Sequence, residues 1–181
     1  MTLDGEEIRA LVSEVADELD ATGGDTHTII VVGGSLLAWR GLREATEDVD
    51  SIRRLDDELR RAVGVVATRH DLPLGWLNDH ATAFAPQGLD VDACDVLLDR
   101  PRLRVLGAPM RAMFLMKLNR SLPQDLEDMR SIWPLIRDEF ATATEIVDAF
   151  FEAFPAGPDD EHLASFVVDE LAKAGYDLAL E

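Results

Sequence analysis

The spacing of hydrophobic residues predicts alternating helices and strands in the first half of the chain. Residues 4–21 and 55–70 place apolar side chains three or four positions apart, which is typical of helices with one buried face. Residues 28–32 (TIIVV) form an unbroken β-branched run, which indicates a buried strand. A short helix is expected over 36–42 and a second strand over 47–52.

The second half of the sequence is predominantly helical. Residues 72–79 predict a loop, and the next elements are a strand pair and then four helices, with turns marked by proline and glycine. The strands are expected at 89–98 and 102–106, and the helices at 109–118, 122–137, 143–154 and 160–174. This order predicts an α+β fold, in which a small mixed β-sheet flanked by helices occupies residues 1–107. Residues 108–181 are expected to form a helical subdomain packed on that core.

The charge of the chain is strongly negative but unevenly distributed. The 181 residues carry a net charge of −19, with eight acidic residues and one basic residue before position 40. Residues 40–137 are nearly neutral and rich in arginine, whereas residues 138–181 hold twelve acidic residues and one lysine. A broad nucleic-acid surface is disfavoured because such a chain repels phosphate backbones. Two interpretations stay open: a generally acidic, soluble surface, or central arginines gathered around an anionic ligand.

The cysteine content and the leading segment predict a cytoplasmic protein. Cys94 is the single cysteine, which excludes an internal disulfide and a cysteine-based zinc cluster. The sequence shows no basic and apolar leader and no apolar run of about 18 residues, the length that a membrane span needs. The four histidines show no metal-ligand spacing and are expected at the surface or in loops.

Three small residues follow the predicted buried strand. Gly33, Gly34 and Ser35 stand where that strand gives way to a helix. Glycine allows positive φ and close backbone approach, and a helix start presents free N–H groups to an anion. Ser35 can cap the helix or offer its hydroxyl to a phosphate. The motif by itself is also compatible with an ordinary strand-to-helix turn.

Two aspartates one residue apart strengthen the case for an anion and metal site. Asp48 and Asp50 lie on the second predicted strand, where alternation directs both carboxylates to one face. Aligned carboxylates repel one another unless a cation lies between them, and hard oxygen ligands favour Mg²⁺ or Mn²⁺. The alternative is a pair of solvent-facing aspartates. Arg40 and Arg43 flank the site helix and are candidate phosphate contacts.

A charged residue interrupts an apolar helix further along the chain. Lys117 lies within the run MFLMKL, where a lysine normally requires a partner or reaches past the helix edge to water. Asp125 and Asp128, three residues apart, are expected on one face of the next helix. They are candidate site residues, or else they stabilise the helix N-terminus.

The order of these motifs resembles that of a known family. Residues Val32 to Asp50 read VGGSLLAWRGLREATEDVD, which resembles the pattern VGGSALALRGLR-x-T-x-DVD. That pattern is found in a minimal bacterial branch of the DNA polymerase β-like nucleotidyltransferase superfamily. Three later segments also resemble that branch, in the expected order: LPLGWLND at 72–79, LMKL at 115–118, and the D-x-x-D of Asp125 and Asp128. The site plan is similar to that of AbiEii-type and MenT-type toxins of toxin–antitoxin systems.

The resemblance implies a role for each motif. Gly33, Gly34 and Ser35 would bind the phosphates of a nucleoside triphosphate, and Asp48 and Asp50 would coordinate Mg²⁺ or Mn²⁺. Lys117 would neutralise phosphate charge, and Asp125 or Asp128 would complete the site. The superfamily usually adds a third carboxylate from a neighbouring strand, for which the local candidates are Asp90, Asp92 and Asp95.

The reaction expected from the resemblance is transfer of a nucleoside monophosphate to an acceptor. RNA such as tRNA, a protein side chain and a small molecule all remain open as the acceptor. A protein partner or a homodimer is also compatible with the sequence. The alternative is a catalytically degenerate interaction protein on the same fold.

Overall fold

The computed structural model describes residues 2–155 together with Asp169 and Ala172. It divides the chain into two compact units, Met1–Ala85 with Asp90–Pro109 and Pro86–Leu89 with Met110–Glu181. Apart from Asp169 and Ala172, the helix expected at 160–174 lies outside the described residues. Within the described part of the chain, no helix combines the length and the apolar character that crossing a membrane requires.

The first unit contains three helices and a five-stranded sheet. In chain order its elements are α1 (Gly5–Thr22), β1 (His27–Val32), α2 (Gly33–Trp39), β2 (Val49–Ser51), α3 (Asp57–Arg69), β3 (Leu77–Asn78), β4 (Asp95–Asp99) and β5 (Leu103–Gly107). The strand order is β3-β2-β1-β5-β4. Strand β1 is parallel to β5 and antiparallel to β2, β2 is parallel to β3, and β4 is antiparallel to β5. The predicted mixed sheet of an α+β protein is therefore confirmed.

The central position of β1 follows from its composition. Four consecutive residues, Ile29 to Val32, are each at most 4% exposed. A strand that is apolar on both faces is stable only when both faces are covered and both edges are paired. The C-terminal end of this strand leads directly into the Gly-Gly-Ser segment.

Local signals in the sequence set both ends of α1. Asp4 caps the helix, because its carboxylate accepts hydrogen bonds from the backbone of Glu6 and Glu7 while Glu7 bonds back to Asp4. This reciprocal arrangement satisfies backbone donors that otherwise have no partner. The helix ends before Gly23, whose φ of +67° suits glycine.

Several boundaries differ from the sequence prediction. Helix α2 begins at Gly33 and ends at Trp39, three residues earlier than expected, because the glycines themselves form its first turn. Strand β2 has only three residues, so Asp48 precedes it. The segment expected to be a loop at 72–79 contains β3, and the first strand of the predicted pair begins only at Asp95.

The second unit is helical in its described part. Its helices are α4 (Met110–Arg120), α5 (Pro123–Ile136) and α6 (Ala143–Ala153). Aromatic packing holds them together: the ring of Phe114 lies 5.7 Å from that of Trp133 and 6.5 Å from that of Phe140. Pro134 lies inside α5, which continues to Ile136, so the helix lacks the one backbone hydrogen bond that a residue other than proline would donate from this position.

A buried arginine closes the turn between α1 and β1. Arg102 is 7% exposed, and its guanidinium donates to the backbone oxygens of Leu19 and Asp25 and to the Glu58 carboxylate. Glu58 also lies 3.3 Å from Nε2 of His27. His27 is 6% exposed, so the expectation that every histidine lies at the surface or in a loop is wrong at this position.

Replacing Arg102 with methionine should lower the free energy of unfolding by about 3 kcal/mol, because buried acceptors lose their charged donor. Urea denaturation of the two proteins measures the difference. Arg104→Met is the matched control, since Arg104 is exposed on β5, two residues further along the chain, and its replacement should cost less than about 0.5 kcal/mol. Equal losses for the two variants would contradict the structural role of Arg102.

Candidate functional site

The glycine turn lies at the junction of β1 and α2. Gly33 has a φ of +68°, a conformation that other residues adopt only with strain. A Cβ at Gly33 would lie 3.3 Å from Oδ2 of Asp50. The backbone of the turn therefore lies directly beside the carboxylate of β2, and glycine permits this close approach.

Ser35 connects the turn to β2 through its hydroxyl group. The side chain is 1% exposed, and Oγ donates to the backbone oxygen of Val32 at 2.7 Å and accepts from the Asp50 N–H at 3.3 Å. Ser35 is the third residue of α2, and Val32 occupies the N-cap position without a side-chain cap. The expectation that Ser35 caps the helix is therefore wrong, and the hydroxyl hydrogen is used within the protein.

The two aspartates lie on the same side of β2. Asp48 and Asp50 are partly exposed, whereas Val49 and Ser51 are fully buried. This alternation is the one that the sequence predicts. Oδ2 of Asp48 accepts a hydrogen bond of 3.1 Å from Nδ2 of Asn78, and Asp50 lies opposite Val32 in the sheet.

The second glycine of the turn is packed against a guanidinium group. A Cβ at Gly34 would lie 2.9 Å from Oγ1 of Thr46 and 3.0 Å from Nη1 of Arg43. Nε of Arg43 donates to the backbone oxygen of Ala45 at 2.8 Å. Thr46 in turn exchanges two backbone hydrogen bonds with Leu3. A carboxylate and a guanidinium group therefore lie beside adjacent glycines.

Arg40 is not part of this group. It follows the last residue of α2, about 10 Å along the helix from Gly33 at the usual rise per residue. Its guanidinium forms an ion pair with Asp95. The predicted phosphate contact by Arg40 therefore lacks support from the geometry.

None of the three candidates for an additional carboxylate, Asp90, Asp92 and Asp95, forms a three-ligand group with the aspartate pair among the described residues. Asp90 accepts a hydrogen bond from the backbone of Asp92 in a 3-10 turn, and Asp95 is on β4. Strand β4 is separated from β2 by β1 and β5, which corresponds to about 14 Å across the sheet. Among the residues that the structure describes, no group of three or more His, Cys, Asp or Glu side chains is arranged to hold a metal ion.

The sequence analysis did not identify Asn78 as a site residue. Its segment was expected to be a loop, but it forms β3 beside β2, with Asn78 paired to Asp50. Asn78 is 4% exposed. The sequence did contain a signal for this strand: the apolar residues Trp76 and Leu77 are followed at once by the polar residues Asn78 and Asp79. A change from apolar to polar residues of this kind also occurs at the end of a buried strand.

The remaining predicted site residues form a cluster of their own in the second unit. Lys117 is 4% exposed, and its ammonium lies 3.0 Å from Asp125 and 2.6 Å from Asp128. The suggestion that Lys117 reaches water at the helix edge is therefore wrong. Asp125 also accepts two hydrogen bonds from Arg120 and one from the backbone of Leu122. The two acidic and two basic side chains balance in charge.

The environment of Asp125 favours its ionised form. Burial acts to raise the pKa of Asp125, but hydrogen bonds from Arg120 and Lys117 outweigh it and hold the pKa below the ordinary aspartate range. A carboxylate whose pKa is lowered in the folded state adds stability above its unfolded pKa, and this stability is lost as the pH falls through the folded value.

Gly33→Ala should lower the free energy of unfolding by about 1 to 2 kcal/mol, because alanine resists positive φ. The matched control is Gly64→Ala, inside α3, where a Cβ would meet nothing within 4 Å. This variant should raise the free energy of unfolding by about 0.5 to 1 kcal/mol. Chemical denaturation measures both, and changes of the same sign would contradict the assigned geometry.

Asp125→Asn should lower the free energy of unfolding by about 2 kcal/mol at pH 7, because the buried Lys117 and the half-exposed Arg120 each lose a carboxylate partner. The difference in the free energy of unfolding between Asp125→Asn and the unsubstituted protein should stay constant down to about pH 5. It should shrink below about pH 4, where aspartates protonate in the unfolded chain. Urea denaturation across this pH range measures it. Asp138→Asn, at a 96% exposed side chain, should show no such dependence, and a flat difference for Asp125→Asn would contradict the prediction.

Comparisons with protein-family models, curated proteins and solved structures find no match to this chain.

Proposed function

We propose that this chain is a nucleotidyltransferase that binds a nucleoside triphosphate with Mg²⁺ or Mn²⁺ at the Gly33-Gly34 turn. The single observation that carries the proposal is the position of Asp48 and Asp50. Their carboxylates alternate with two fully buried residues and lie on one side of β2, with Asp50 beside the turn. Two carboxylates on one side of a strand, one of them beside the turn, can supply the protein ligands of a metal-bound triphosphate.

The residues present fit a magnesium ion that is shared with its substrate. Mg²⁺ typically takes one or two carboxylates from the protein and its remaining oxygen ligands from phosphates and water. Asp48 and Asp50 would supply the protein ligands, so the lack of a third carboxylate among the described residues is compatible with such a site. When bound, the cation would polarise the phosphoryl oxygens and stabilise their negative charge.

The chain's own groups would orient the substrate for transfer. The glycine turn would keep Asp50 beside the triphosphate, and the Arg43 guanidinium beside Gly34 would donate to phosphate oxygens. An acceptor oxygen would form a bond to the α-phosphorus as the bond to the β-phosphate oxygen breaks. The bonding electrons would leave with pyrophosphate, and the acceptor proton would pass to a carboxylate or to solvent. The phosphate contact suggested for Lys117 stays a prediction.

The biological role belongs to the same proposal. A toxin of a toxin–antitoxin pair that modifies tRNA or another acceptor in the cytoplasm is consistent with the resemblance of Val32 to Asp50 to that family. The fold of the nucleotidyltransferase superfamily is likewise part of the proposal. The pairing of the strands supports this part of the proposal. The turn follows β1, Asp50 lies on β2, and these two strands are antiparallel neighbours.

A second candidate is a catalytically inactive interaction protein on the same fold. Two observations favour it: the Ser35 hydroxyl is used by internal hydrogen bonds, and the carboxylates expected from 90–95 do not reach the aspartate pair. The two candidates differ in whether a metal-bound nucleotide binds at all.

Thermal denaturation with Mg²⁺ and each of ATP, CTP, GTP and UTP tests the proposal. At least one nucleotide should raise the melting temperature by a few degrees at saturating concentration, since ligands stabilise the state that they bind. The double substitution Asp48→Asn and Asp50→Asn should abolish the increase, whereas Asp99→Asn, at an exposed carboxylate on β4, should preserve it.

An increase that survives the double substitution would contradict the assigned site. No increase with any nucleotide would favour the inactive interaction protein. Incubation with radiolabelled nucleotides, total RNA and cell lysate would then reveal which class of acceptor receives the label, if the protein is active.

A further inference from the structure

A buried amide lies next to one of the proposed metal ligands. Asn78 is 4% exposed, and its side chain lies between the backbone of its own segment and Asp48. Nδ2 donates to Oδ2 of Asp48 at 3.1 Å and approaches the backbone oxygen of Gly75 at 3.4 Å. Oδ1 accepts from the backbone N–H of His80 at 2.9 Å.

These contacts fix the orientation of the amide. Because the N–H group of His80 can only donate, the atom facing it must be the carboxamide oxygen, and the nitrogen must face Asp48. A buried amide with both ends bonded resists rotation. A reversed amide would set its N–H groups against the N–H of His80 and its oxygen against the oxygens of Asp48 and Gly75. Asp48 is thus held through one of its two carboxylate oxygens.

The register of the sheet places Asn78 in one row with the other site residues. Val32, Asp50 and Asn78 are partners across β1, β2 and β3. The strand next to the aspartate pair therefore carries a neutral hydrogen-bond donor at the position in register with Asp50. A carboxylate at position 78 would stand within hydrogen-bond distance of Asp48.

We infer that Asn78 is a positioning residue for the metal site: it holds one oxygen of Asp48 and leaves the other directed to the cation. This inference rests on the proposed function. It adds a residue that lies outside the Gly-Gly-Ser and Asp-x-Asp motifs. As a neutral donor, Asn78 fixes Asp48 without adding negative charge, so the protein contributes two carboxylates to the cation.

Two substitutions of Asn78 should change cation affinity in opposite directions. Asn78→Ala releases Asp48, and we expect Mn²⁺ to bind about tenfold more weakly, as is common when a group that orients a metal ligand is removed. Asn78→Asp keeps the size and the acceptor for His80 but sets a second carboxylate against Asp48. The repulsion should destabilise the free protein, and Mn²⁺ should bind about tenfold more tightly because it relieves that repulsion.

Titration of the purified protein with Mn²⁺, followed by the electron paramagnetic resonance signal of free Mn²⁺, measures these affinities. Melting temperatures without metal are recorded for the same samples. Asp79→Asn is the matched control: Asp79 accepts from the backbone of Leu55 and pairs with Arg60, so this variant should lower the melting temperature and leave Mn²⁺ affinity unchanged. If Asn78→Ala does not fold, Asn78→Leu takes its place, because leucine has a similar volume and lacks the amide donor.

Each outcome has a distinct meaning. Weaker Mn²⁺ binding by Asn78→Ala, when the destabilised control Asp79→Asn binds Mn²⁺ as the unsubstituted protein does, supports the positioning role, and tighter binding by Asn78→Asp supports the placement of position 78 next to Asp48. Unchanged affinity in both variants, with Mn²⁺ bound by the unsubstituted protein, overturns the positioning role alone. No Mn²⁺ binding by the unsubstituted protein overturns the proposed function and the positioning role together.

Discussion

The hydroxyl group of Ser35 makes the connection on which the candidate site depends. It donates to the end of β1 and accepts from the backbone of Asp50, so it joins the glycine turn to β2 in the protein interior. A buried hydroxyl with both partners satisfied is held firmly, because losing either partner would leave a polar atom without compensation. Together with the antiparallel pairing of β1 and β2, which sets Val32 opposite Asp50, this hydroxyl holds the glycine turn beside the carboxylate.

The charged side chains of interest are partly exposed in the first unit and mostly buried in the second. In the first unit, the partly exposed carboxylates of Asp48 and Asp50 lie on one side of β2, with Asp50 beside Gly33. In the second unit, Lys117 is enclosed by Asp125 and Asp128, and the cluster balances its own charge. Buried ion pairs of this kind lose most of their Coulomb energy to desolvation, so we regard this cluster as a device that fixes how α4 and α5 pair.

The sequence predicts the fold well wherever the hydrophobic pattern is long. Helix α1 and strand β1 lie within one residue of their expected positions, because periodicity, capping and β-branching agree there. Short elements were harder to predict: β3 has two residues, too few for a period, and only pairing with β2 defines it. The predicted start of α2 was wrong, because the low helix propensity of glycine placed Gly33 and Gly34 before the helix. At position 33 the close approach of Asp50 favours glycine.

Only the part of the candidate site that follows from local sequence pattern and strand pairing could be predicted from the sequence. The shared side of Asp48 and Asp50 follows from strand alternation alone, and their proximity to the turn follows once β1 and β2 pair. Neither the internal use of Ser35 nor the contact of Asn78 with Asp48 follows from local pattern. Both depend on the sheet register, which joins residues 15 and 30 positions apart in the chain.

The most direct test of the account is to locate a bound paramagnetic cation by nuclear magnetic resonance. Small amounts of Mn²⁺ with ATP, added to ¹⁵N-labelled protein, broaden amide signals close to the metal. We expect the amide signals of Gly33, Gly34 and Asp50 to broaden first. Broadening that begins at other acidic positions, such as Glu6 and Glu7 at the start of α1, while these three signals persist would contradict it.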